Sequence, residues 1–112
     1  RLVGPSMFRH YPYEELYFLE QAKRIRDAVD CNLIYVGGAS SNASFETLMQ
    51  HGFDFIQLGR TLLSDPDLPL QAQRQQTYTS RCNHCNECVA TIEHPAGIHC
   101  TRFSPEAPTI LQ

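Results

Sequence analysis

The sequence predicts a parallel α/β arrangement followed by an irregular, cysteine-rich segment, and three observations carry that prediction. Residues 32–36 (NLIYV) and 53–58 (FDFIQL) are short apolar runs, each stopped by glycine, with a helical pattern between them. Strand, helix and strand in so short a span form a βαβ unit, which requires parallel pairing. Four of the five cysteines lie between positions 82 and 100, where no apolar period of either 2 or 3.6 residues holds.

Taken in order, residues 1–12 carry Gly4, Pro5 and Pro12 and read as loop. His10 and Tyr11 there are candidates to reach a site at the strand ends, with a surface position the simpler reading. From about residue 12 to 29 the apolar positions Phe18, Ala22, Ile25 and Val29 recur at helical spacing, with Glu14 and Glu15 at the positive end of the expected helix. Cys31 precedes the first strand and is expected in the core. Both strands are expected to be buried on both faces, as apolar runs in parallel sheets are. Ser41 can cap the intervening helix, whose Phe45, Leu48 and Met49 share a face, and Gly52 stands where a C-terminal glycine belongs. Asn42-Ala43-Ser44 matches a glycosylation sequon, but its place at a helix start favours capping. His51 falls at the helix end, where a cation suits the dipole. Short helices are expected at about 60–64 and 67–76, set off by Pro66 and Pro69. Residues 1–76 thus form an α/β portion and residues 77–112 a cysteine-rich one. Two strands cannot close a sheet, so the pattern belongs to a larger fold.

Composition narrows the partners. Nine Lys and Arg against twelve Asp and Glu give a net charge of −3, with the cations scattered, which argues against a nucleic-acid partner. No apolar run approaches the roughly 18 residues of a membrane span, and residues 1–8 lack a secretory h-region, so a cytoplasmic protein is expected.

Two constellations carry chemistry. At the carboxyl ends of the two runs stand Gly37-Gly38 and Gly59-Arg60. Ligands of parallel α/β folds bind there, glycine lets backbone N–H groups approach phosphate oxygens, and Arg adds a bidentate cation. The alternative is that the glycines only make turns and Arg60 is solvated. The second constellation is Cys82-x2-Cys85-x2-Cys88-x11-Cys100. Its spacing is nearer to iron–sulfur ligation than to paired zinc knuckles, although His84, His94 and His99 keep a mixed zinc site open, and free thiols or disulfides are the further alternatives.

Residues 19–36 (LEQAKRIRDAVDCNLIYV), Gly37-Gly38 and FDFIQLGRTLLSDPDLP resemble the last two βα units of the old yellow enzyme family of FMN-dependent NAD(P)H:flavin oxidoreductases. The run CNHCNEC with Cys100 resembles the segment after the barrel in the 2,4-dienoyl-CoA reductase and trimethylamine dehydrogenase branch. The resemblance implies the C-terminal βα units of an FMN-binding TIM barrel, with Gly37, Gly38, Gly59 and Arg60 on the FMN phosphate. Cys82, Cys85, Cys88 and Cys100 would be ligands of a 4Fe-4S cluster. NADH or NADPH would donate hydride, and the substrate would be a small molecule with an activated C=C bond. A whole barrel takes about 250 residues, so the chain is expected to be a C-terminal portion that needs the remainder of the barrel as its partner and holds no catalytic residue itself. Two rival functions are a zinc-binding interaction module and a phosphate-binding barrel of the biosynthetic type.

Overall fold

A computed structural model describes residues 12–103. Helix α1 (Leu19–Ala28) leads to strand β1 (Ile34–Val36), helix α2 (Asn42–Gln50), strand β2 (Phe55–Gln57), and the short helices α3 (Thr61–Ser64) and α4 (Leu68–Arg74). A 3-10 turn over Glu87–Thr91 lies inside the cysteine-rich segment. The two strands pair in parallel, Ile34 with Phe55, Tyr35 with Ile56 and Val36 with Gln57. The βαβ unit therefore forms as its apolar pattern requires.

One face of this sheet holds the core. Tyr35 is 1% exposed and packs with Ala39, Leu48 and Phe53, its ring edge-on to Phe53 at 5.4 Å. The other face departs from expectation, because Ile34, Val36 and Phe55 are 60%, 57% and 56% exposed. Burial on both faces needs flanking strands, and none pairs with β1 or β2 among the described residues.

Other departures are local. Helix α1 starts at Leu19, not near residue 12, because Leu16 takes a left-handed conformation (φ 58°) that breaks helical continuity. Cys31 is exposed, since it lies in the bend ahead of the first paired strand residue, where Arg26 bonds its carbonyl at 2.9 Å. Phe53 enters the core before β2 begins, and Met49 faces solvent. Ser41 does cap α2, through a capping box in which Ser44 takes the part usually played by Glu or Gln. Gly52 ends that helix at φ 81°.

The cysteine-rich segment is stitched to the βα turn. Ser41 and Thr79 form an antiparallel bridge, Asn42 N–H bonds Tyr78 O at 2.9 Å, and Ser80 N–H bonds Ser40 O at 2.8 Å. No described helix is long and apolar enough to cross a membrane. His10 and Tyr11 lie outside the described residues.

Candidate functional site

Beyond the carboxyl ends of β1 and β2 opens a cavity of about 610 Å³, and Gly37, Gly38, Gly59 and Arg60 all line it. The parallel register sets the two strand ends side by side, so the two glycine turns meet without any further device. Gly38 has φ 75°, and a methyl group there would stand 2.8 Å from the Tyr17 ring. Gly59 differs: among the described residues nothing lies within 4 Å of where its side chain would begin.

The roof of the cavity comes from residues 12–18. Tyr13 Oη donates to Gly38 O at 2.7 Å and shares a hydrogen bond with Ser40 Oγ at 2.9 Å. Burial, with Glu15 nearby, raises the Tyr13 pKa above the ordinary phenol value against the opposing bond to Ser40, so the hydroxyl stays protonated near neutral pH. Tyr35, from the core face of β1, donates to Gly37 O at 2.8 Å and accepts the Phe18 N–H at 3.3 Å, which fixes both the turn and the roof.

Glu15 was expected at the positive end of its own helix, yet it serves the next one. Its Oε1 accepts from Ser40 N at 3.2 Å, Ser40 Oγ at 3.1 Å and Ser41 Oγ at 2.7 Å, at the start of α2. Burial pushes this carboxyl up, but the bonds from Ser41, Ser44 and Ser40 outweigh it and hold the pKa below the usual value.

The far wall comes from the cysteine-rich segment. His84 and Asn86 both border the cavity, each with a left-handed backbone (φ 56° and 63°). His84 stacks on Tyr13 with ring centroids 3.5 Å apart, and its buried Nε2 has no hydrogen-bond partner among the described residues. Burial and the Arg60 charge lower the His84 pKa, opposed by Glu15. Arg60 donates through Nη1 to Asn86 Oδ1.

Arg60 also borders a second, smaller recess of about 20 Å³, together with Cys82, Cys85, Cys88 and Cys100. The four thiols named by the sequence are thus brought together, and all are free. Burial and the neighbouring Cys82, Cys85 and Cys100 raise the Cys88 pKa, with Arg60 pulling the other way. No group of three or more His, Cys, Asp or Glu side chains among the described residues is arranged to hold a metal ion. The recess has room for about one water. Donor chemistry here suits a soft metal, whereas the geometry is that of adjacent thiols not closed on a common centre.

Sequence reasoning located the glycines, Arg60 and the cysteines but missed Tyr13, Tyr17, Glu15, Tyr35 and Asn86. The aromatic run YPYEELYF was the available signal for a roof. Nothing local could have paired it with His84.

No family model matches the chain, and no solved structure matches it. The chain is 37% identical over 92 residues to a 4,4'-dithiodibutanoate disulfide reductase of Rhodococcus erythropolis, across 82% of its own length. It spans 23% of the length of that relative. The relationship is a distant one to an oxidoreductase.

Proposed function

We propose that the chain is the phosphate-holding C-terminal portion of an FMN-dependent NAD(P)H oxidoreductase built on a TIM barrel. One observation carries the reading: Gly37, Gly38, Gly59 and Arg60 converge on a single cavity past the ends of two parallel strands. The open space at Gly59 and the adjacent guanidinium suit a phosphate monoester. The uncovered apolar face of Ile34, Val36 and Phe55 supports a further layer packed against this sheet, as the remaining strands of a barrel would supply.

FMN, when bound, accepts hydride from a reduced nicotinamide and delivers it to an acceptor. This chain's part is to hold and orient the cofactor: the glycine amides and Arg60 anchor the phosphate, and Tyr13, Tyr17 and Phe18 border the cavity from the roof. The acceptor is an activated C=C bond or, as the similarity to a disulfide reductase favours, an organic disulfide. A disulfide would take up two electrons and two protons and leave as two thiols. The four cysteines would hold a 4Fe-4S cluster if their sulfurs closed on one centre. Free thiols throughout suit a reducing compartment such as the cytoplasm.

The test is the Arg60→Ala variant of the full-length protein. A charge-assisted bond contributes about 1.5–3 kcal/mol, so FMN affinity should fall about 10- to 100-fold. Unchanged FMN retention, or a full-length protein that binds no flavin, overturns the assignment.

A further inference from the structure

We propose that Asn86, in the middle of the cysteine-rich segment, is the positioning residue for Arg60 in phosphate binding, so that the segment is a working wall of the anion site. The inference rests on the reading of Arg60 as the phosphate cation and goes beyond it in assigning the group that aims the guanidinium. Arg60 follows a glycine and sits on the surface end of a four-residue helix, so its own backbone does little to orient a long, exposed side chain. Its one described side-chain partner is the Asn86 amide oxygen, which takes Nη1. A guanidinium has five donors in a rigid fork, so committing one edge to Asn86 restricts its rotation and leaves the others for an oxyanion.

Asn86 is itself held firmly. It adopts the left-handed conformation that asparagine tolerates, and its carbonyl accepts Val89 N–H at 3.0 Å as the 3-10 turn begins. Glu87 next to it pairs with Arg102 at 2.6 Å. On the other side, the stretch is tied back through Ser80 to Ser40. Arg60 borders both the large cavity and the thiol-lined recess, so any rearrangement of the cysteines that moves Asn86 changes the hold on the phosphate.

The experiment compares FMN with riboflavin, which lacks the phosphate, by quenching of flavin fluorescence on the cofactor-stripped full-length protein. Asn86→Gly keeps the left-handed backbone and removes the amide. FMN affinity should fall about tenfold in this variant while riboflavin affinity stays put, which also reports an intact cavity. In the Arg60→Ala background Asn86→Gly should have no further effect. Equal loss for both flavins, no loss for FMN, or full additivity with Arg60→Ala overturns the role of Asn86. If Arg60→Ala leaves the preference for FMN over riboflavin untouched, the phosphate reading falls first, and this inference with it.

Discussion

The Tyr13 and His84 rings lie face to face, 3.5 Å apart and tilted by 7°, and so join the roof of the cavity to its far wall. The contact links the start of the described chain to its cysteine-rich segment. Tyr13→Ala should lower stability by about 1–3 kcal/mol, combining the lost stack with the hydroxyl's bonds to Gly38 and Ser40. Tyr13→Phe keeps the stack and should cost about 1 kcal/mol. Urea unfolding of both variants measures the two parts separately.

Tyr35→Phe should loosen two residues that line the cavity, Gly37 and Phe18. The ring still packs on Phe53, but Gly37 O and Phe18 N–H lose a buried partner. A loss of about 1–3 kcal/mol is expected, accompanied by faster amide exchange at Phe18. Exchange unchanged at Phe18 would show that the roof is held by other contacts.

The two glycine turns should respond in opposite ways. Gly38→Ala forces a side chain into a left-handed position against Tyr17 and should cost at least about 1 kcal/mol of stability. Gly59→Ala meets no described atom within 4 Å, so thermal stability should hold within about 0.5 kcal/mol. If the proposed phosphate sits at this turn, the added methyl group should lower FMN affinity. Melting curves and flavin titration of the same pair of variants decide both points.

Glu15 supplies a pH dependence whose sign is fixed. Its folded pKa lies below the unfolded carboxylate value of about 4.3, so its contribution to stability is complete above that value and disappears as pH falls through the folded pKa. Glu15→Gln should flatten the acid limb of a stability-against-pH curve and leave the neutral-to-basic limb parallel to wild type. A variant curve parallel to wild type throughout would mean that the Ser40 and Ser41 bonds do not distinguish charged from neutral carboxyl.

Metal content separates the uses of the cysteines. Full-length protein purified without oxygen should carry iron and sulfide with a broad brown absorbance if a cluster forms, and Cys88→Ser should abolish it. Stoichiometric zinc in a colourless protein would favour the mixed Cys/His site, and no metal would leave four thiols bordering the recess.

Much of the fold was legible because it is local. Glycine stops, the Ser41 cap and the β-branched runs each act within a few residues, and the structure reproduces the βαβ unit they specify. Helix α1 was extended too far because Glu14 and Glu15 read as its first turn, whereas Leu16 takes a left-handed conformation that no residue type announces. Expected double burial of the strands failed since it depends on neighbours that β1 and β2 lack among the described residues. For the site, Gly37, Gly38, Gly59 and Arg60 were readable from their place after the strands. Glu15, Tyr13 and Asn86 were not, because each finds its partner 25 or 26 residues away or farther.

The bridge from Ser41 to Thr79, with its flanking bonds to Tyr78 and Ser80, bears on how the chain would come apart. A protease nick near Gln76 would cut the covalent link between cysteine loop and glycine turn but leave these hydrogen bonds between them at the start of α2.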